Sequence, residues 1–229
     1  MSTDQSQTES KTESKWRPKA IVFDLLTALM DSWSLWDAST PSKTREEGKR
    51  WREHYLKLTF SAGEYVPYQD LIWKSASELG LPRSAPEALL RDWRRLRPWP
   101  EAGLVLSKLR AKGYILGVVT NCSSPLGFTA YRRVEKDGQA NFSFDSVITA
   151  EMSGYYKPVK KAYEHILGTI SVDDPGDVLF VAGSAGDVQG ATDAGMKVVW
   201  HNRIGLPRVG DAVPLREGKT LHDTLKDFL

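Results

Sequence analysis

The chain has 229 residues, 41% of them hydrophobic and 26% charged, with a formal net charge of +2, an ordinary composition for a globular protein long enough to bury a sizeable core. A charge this small argues against nucleic acid or an anionic membrane surface as a partner. The single cysteine, Cys122, excludes an intrachain disulfide, and no apolar run approaches the roughly 20 residues of a membrane span, so a cytoplasmic location is expected.

Residues 1–16 open with "MSTDQSQTESKTESK", which lacks the apolar stretch of a secretory signal and reads as a disordered polar tail. "AIVFDLL" follows, a short apolar run of β-formers consistent with a buried strand. Within it stands an acid, Asp24. A buried carboxylate left alone costs several kcal/mol, so it must reach water or a cationic partner. From about residue 34 to 98 the texture turns helical. In "REEGKRWREHYLKLTF", Trp51, Tyr55, Leu58 and Thr59 recur at helical spacing, "YQDLIWKSASELG" follows, and "LPRSAPEALLRDWRRL" starts beside prolines. The block contains no convincing strand and reads as a helical insertion between residues 17–33 and 99–229.

From residue 99 strands and helices alternate. "EAGLVLSKLRAKG" is a helix closed by Gly113, "YILGVVTN" a second strand, "FDSVITA" a third, and "PVKKAYEHILGTI" a helix. "DVLFVAGS" is a fourth strand, "AGDVQGATDAG" a helix, and "KVVWHN" a fifth strand. Such alternation implies right-handed βαβ units and a mostly parallel, Rossmann-like α/β sheet. Ligands collect beyond the carboxyl ends of these strands. The polar residues ending the runs are therefore the candidates: Asp24, Thr120, Asn121, Ser184, Asp187 and Asn202, with Lys157 in the loop after the third strand. The four histidines lack metal-ligand spacing. Cys122, with no histidine beside it, reads as a small buried hydrophobe.

This order of polar strand ends resembles the haloacid dehalogenase superfamily over nearly the whole chain from residue 19. The landmarks are "FDLLTALMD" with Asp24, "VVTNCS" with Thr120, "GYYKP" with Lys157 and "VAGSAGDVQGA" with Asp187. Within the superfamily the chain is most similar to L-2-haloacid dehalogenases, through "WREHYLKLTF", "TNCS", "YKPVKKAY" (carrying Tyr163) and "VVWHNR". The resemblance implies a Rossmann-like core of residues 17–33 and 99–229 and an α-helical cap of residues 34–98. It implies Asp24 as the nucleophile of an ester intermediate, Lys157 as the cation beside it, and Asp187 orienting Lys157 or the hydrolytic water. Arg52 would reach from the cap to the leaving halide or the acid group, with Thr120, Asn121, Ser184 and Leu26 also substrate-facing. The implied partner is a small-molecule carboxylic acid, with no cofactor and with a homodimer as an open option.

The departures are specific. Superfamily phosphatases carry an acid at the position of Leu26 and a metal-binding carboxylate at that of Gly183. Dehalogenases carry Tyr at Leu26, Gly-Thr at Thr27-Ala28, and serine and asparagine at Ala182 and Ser184. Two alternatives stay open at this point: a magnesium-dependent phosphoryl hydrolase, and a non-catalytic binding or regulatory protein on the same fold.

Overall fold

A computed structural model describes residues 16–136 and 142–229; the expected polar tail lies outside the described residues except for Trp16. The chain enters β1 (Ala20–Phe23) and then a single π-helical turn (Leu25–Leu29). Four helices follow: α1 (Ser32–Ser39), α2 (Arg45–Ala62), α3 (Tyr68–Glu78) and α4 (Ser84–Arg91). The chain continues through α5 (Ala102–Ala111), β2 (Ile115–Thr120), α6 (Ser124–Lys136), β3 (Ser146–Thr149), α7 (Ala150–Ser153) and α8 (Lys160–Thr169). It closes with β4 (Val178–Ala182), α9 (Ala185–Asp193), β5 (Lys197–His201), β6 (Arg216–Gly218) and α10 (Leu221–Leu225).

The strands form one six-stranded sheet in the order β3-β2-β1-β4-β5-β6, and every pairing is parallel. A parallel sheet is covered on both faces, which is why its strands read as unbroken apolar runs. Alternate side chains separate into two cores. Ile21 and Phe23 join Leu116, Val118, Leu179 and Val181 on one face. Ala20 and Val22 join Phe180, Val198 and Trp200 on the other, under α8 and α9. The chain leaves β1 toward β2 on one side and returns to β4 on the other. The switch point, where such sheets open a crevice, is therefore at the carboxyl end of β1.

The helices between β1 and β2 pack on one another through aromatic and small residues. Trp36 of α1 meets Trp51 of α2 edge-on at 4.6 Å between ring centroids, and Trp51 Nε1 donates to Ser75 Oγ of α3 at 2.9 Å. Gly48 lets α1 and α2 approach: a Cβ there would lie 2.2 Å from Asp37 Oδ1. Thr44 caps α2 by accepting the Glu47 N–H, and the Glu47 carboxylate reaches back to Ser42, so the T-x-x-E spacing marks a true helix start. After α2 the chain is stitched to the segment before Lys157. Tyr65 N–H donates to Gly154 O, Tyr156 N–H to Gly63 O, and Tyr156 OH to Val66 O.

Three local features differ from the sequence reading. The first strand stops at Phe23, because Asp24 caps the π-helical turn instead of extending the run. The edge strand β6 was not expected: "REG" is short and polar and carries no apolar signal. Nor was α6, whose buried face is Gly127, Ala130 and Val134. Those residues are too small to announce an amphipathic stripe, but they let the helix lie close on the ends of β2 and β3.

Candidate active site

Asp24 N–H donates to Val181 O at 3.0 Å, extending the β1–β4 ladder by one residue. The backbone then turns about the carboxylate. Asp24 Oδ2 accepts from Thr27 N–H at 2.8 Å, Thr27 Oγ1–H at 2.6 Å and Ala28 N–H at 3.1 Å. Asp24 Oδ1 accepts instead from Lys157 Nζ at 2.8 Å. The same ammonium donates to Asp187 Oδ2 at 3.0 Å. Asp187, in the first turn of α9, accepts from Tyr163 OH at 2.7 Å and Ser184 Oγ–H at 3.2 Å. The cationic partner that the buried acid required is thus Lys157, shared between two carboxylates at side-chain exposures of 8% or less.

Lys157 is held through its backbone as well. Asn121 Oδ1 accepts its N–H at 2.7 Å, and Asn121 Nδ2–H donates to its carbonyl at 3.0 Å. The Asn121 amide, expected to face substrate, is therefore engaged in fixing the lysine loop. Thr120 at the end of β2 is buried, its hydroxyl donating to the Cys122 sulfur at 3.5 Å. Burial pushes the Cys122 thiol up to about 12, which leaves it without nucleophilic character at neutral pH.

Burial opposes charge on each member of the cluster, and neighbours decide the outcome. For Asp24 desolvation acts upward. The Lys157 charge and hydrogen bond and the Thr27 donors together outweigh it, so the carboxyl sits below the ordinary value. For Asp187 desolvation, aided by the Asp24 charge, prevails over Lys157 and Tyr163 and leaves the acid raised. Lys157 is raised, because its two carboxylates overcome its own desolvation.

Arg52 comes from α2. Its guanidinium lies over the Trp33 ring at 4.6 Å and near Trp36 at 5.4 Å, and it is 1% exposed. Its Nε and Nη1 make no hydrogen bond among the described residues. Arg52 is walled in by aromatic rings, and burial depresses its pKa, though a guanidinium stays protonated. Its charge is felt by Asp24 across the cavity, and the two nitrogens without partners carry a desolvation cost.

Asp24, Leu26, Arg52, Thr120, Asn121, Lys157, Ser184 and Asp187 all line one cavity of about 20 Å³, joined by Thr27, Tyr55, Leu56 and Phe60. That space holds about one water. A larger groove of about 1080 Å³, between α1 and α4, shares none of these residues and has no comparable cluster of buried charge. The α2 contributions were legible in principle: Arg52, Leu56 and Phe60 stand at successive i, i+4 positions and so share a face. Asn202 is not brought to the site; its amide bonds Leu206 in the loop after β5 and Glu217 of β6.

The donor set does not fit magnesium. Both Asp24 oxygens and both Asp187 oxygens already accept hydrogen bonds, and an ammonium stands where a cation would compete. A carboxylate at position 183 has no room. A Cβ on Gly183 would lie 2.3 Å from Ala28 N and 2.3 Å from Thr27 Oγ1. Among the described residues, no group of three or more His, Cys, Asp or Glu could hold a metal ion.

Comparison with known proteins agrees with this geometry. The family model described as haloacid dehalogenase-like hydrolase matches residues 21–201. Haloacetate dehalogenase H-2 of Moraxella sp. (strain B) is 28% identical over 200 residues, covering 82% of this chain and 87% of that protein. A solved L-2-haloacid dehalogenase superposes with a TM-score of 0.77 at 27% identity, over 93% of this chain and 99% of the other. An L-2-haloacid dehalogenase from Xanthobacter autotrophicus with chloropropionic acid covalently bound shares the fold, with a TM-score of 0.74 at 21% identity over 90% and 96% of the two chains.

Proposed function

The chain belongs to the haloacid dehalogenase-like hydrolases, and from that premise we propose that it hydrolyses the carbon–halogen bond of a small 2-halocarboxylic acid through an ester on Asp24. The observation that carries this is the pairing of an ionised buried carboxylate with a buried guanidinium whose Nε and Nη1 have no hydrogen-bond partner among the described residues, across one cavity. Asp24 Oδ1 attacks the carbon bearing the halogen, and the carbon–halogen bond breaks with its electron pair leaving on the halide. Arg52 receives the halide or the acid group, and Thr120 offers its hydroxyl to the substrate. Lys157 keeps Asp24 ionised, while Asp187 holds Lys157 and serves the water that hydrolyses the ester. The helical block between β1 and β2 is read as a cap, because α2 supplies one wall of the cavity. No described helix is long and apolar enough to cross a membrane, and a cytoplasmic location belongs to the same proposal.

Intact-mass measurement after rapid quench with chloroacetate or 2-chloropropionate tests the mechanism. An adduct mapping to Asp24, with halide release, is the expected result. Adducts from phosphate esters in place of haloacids would overturn it. Activity should also survive EDTA, since Leu26 and Gly183 replace the two phosphatase acids and the remaining oxygens are engaged. Loss on chelation with recovery on adding magnesium would move the chain to the phosphoryl hydrolases.

Arg52→Met should lower kcat/KM by roughly 30- to 1000-fold, the scale of one charge-assisted contact in a desolvated site. Arg52→Lys should recover only part, because an ammonium cannot reproduce the planar fork. Thermal stability should be retained in Arg52→Met, since the methionine refills the space against Trp33 and Trp36 and removes an unsatisfied buried charge. Unchanged kcat/KM in a folded Arg52→Met protein would exclude Arg52 from the site.

A further inference from the structure

The two oxygens of Asp24 are held unequally. Oδ1 has the Lys157 ammonium, while Oδ2 has two peptide N–H groups and the Thr27 hydroxyl, the shortest of the three at 2.6 Å. The donors at Oδ2 are fixed from behind. The peptide that carries the Thr27 N–H has its carbonyl, Leu26 O, bonded by Ser32 Oγ–H. The peptide that carries the Ala28 N–H has its carbonyl, Thr27 O, bonded by Trp99 Nε1–H at 3.2 Å. Ala28 O accepts from His201 Nδ1–H at 2.8 Å. Three side chains from three directions thus lock the turn with its N–H groups converging on one oxygen. Gly183 leaves the hydroxyl its place, since a Cβ there would collide with it.

Ester chemistry on Asp24, the reading on which this rests, treats the two oxygens differently. Oδ1 forms the bond to carbon and becomes the bridging oxygen of the ester, while Oδ2 becomes the ester carbonyl. Water then adds to Cγ, the Cγ–Oδ2 π pair moves onto Oδ2, and Asp187 takes a proton from the water. Collapse restores the carbonyl and breaks Cγ–Oδ1. The departing alkoxide takes the proton back from Asp187 and leaves as the hydroxy acid. The regenerated Asp24 acid gives its proton to solvent.

Hydrogen bonds to Oδ2 are strong while it belongs to a carboxylate, weaken when it becomes an ester carbonyl, and strengthen again when it becomes an oxyanion. We propose that Thr27 is the side-chain donor of a preformed oxyanion hole at Asp24 Oδ2, completed by the Thr27 and Ala28 N–H groups, which restrains ester formation and accelerates ester hydrolysis. A threonine at position 27 thereby supplies a hydroxyl that Ala28, beside it, cannot.

Rapid-quench intact mass and halide-burst kinetics on Thr27→Ala and Thr27→Ser test this with chloroacetate. Thr27→Ala removes the hydroxyl without adding bulk against Gly183 and leaves both N–H donors. The expected result is ester formation at least as fast as in the wild type, hydrolysis slower by about 100-fold, and accumulation of the Asp24 ester at steady state. Thr27→Ser, which keeps the hydroxyl, should restore hydrolysis and abolish the accumulation. A merely structural threonine would slow both half-reactions together. Wild-type partitioning in Thr27→Ala, or ester formation slowed without accumulation, would overturn the role of Thr27 while leaving the aspartyl-ester reading intact. A wild-type protein that forms no ester on any haloacid would remove both.

Discussion

Asp24→Asn should lower kcat/KM for halide release by about 10⁴-fold or more, the scale of losing a covalent nucleophile, while the protein stays folded. An amide is nearly isosteric with the carboxylate but carries no charge to displace a halide. Its oxygen can still accept from Thr27 and Ala28, so the turn after β1 keeps its bonds. Its NH₂ then faces the Lys157 ammonium, donor against donor, yet that ammonium retains Asp187 at 3.0 Å. The buried lysine is therefore not orphaned, and the sheet on either side is untouched. Circular dichroism and melting would establish folding, and a chloride assay the activity. Wild-type turnover in a folded Asp24→Asn protein would sink the ester mechanism.

Lys157→Met should abolish activity and also destabilise the fold, by about 3–5 kcal/mol at neutral pH, because it leaves two buried carboxylates without their cation. For a chain of this length that corresponds to a melting temperature lower by roughly 6–20 °C. The pH dependence has a definite sign. In the wild type, the folded Asp24 pKa lies below the ordinary 3.8. Its contribution is present above that value and is lost as pH falls through the folded pKa. The raised Lys157 pKa contributes fully below 10.5 and is lost as pH rises through the folded value. Without the ammonium, burial drives both carboxyls upward, so the deficit of Lys157→Met should be largest at neutral pH and shrink on acidification. A variant that melts with the wild type at pH 7 would show that the carboxylates do not depend on Lys157. Retained turnover would remove the lysine from the mechanism.

Of the nine candidate residues named from sequence, eight converge on one cavity, where each ends a strand, follows one, or lies on the inserted α2, and Asn202 alone is engaged elsewhere. Strand ends are legible: a buried parallel strand is a short apolar run, and the polar residue that terminates it is forced to the carboxyl edge of the sheet. The roles assigned within that set were less legible. Asn121 was expected to bind substrate, but its amide clamps the Lys157 backbone. Arg52 was expected to reach from the helical block into the cleft, and the structure adds that it stacks against Trp33 and Trp36 at the cavity wall. Both findings concern partners more than 15 residues away in the chain, which local pattern cannot specify.

By itself the sequence determined the parallel α/β sheet, the helical block between its first two strands, and the set of polar side chains delivered to one edge. Those follow from hydrophobic period and from where apolar runs stop, which are local properties of the chain. Only the tertiary structure decided how the charges pair and which donors each oxygen of Asp24 receives. Lys157 reaches Asp24 across 133 positions of sequence. Ser32, Trp99 and His201 converge from separate elements to aim the donors of a single turn. Hydrogen bonds depend on distances of a few tenths of an ångström between such elements, and those distances are set by how the sheet, the π-helical turn and α2 pack together.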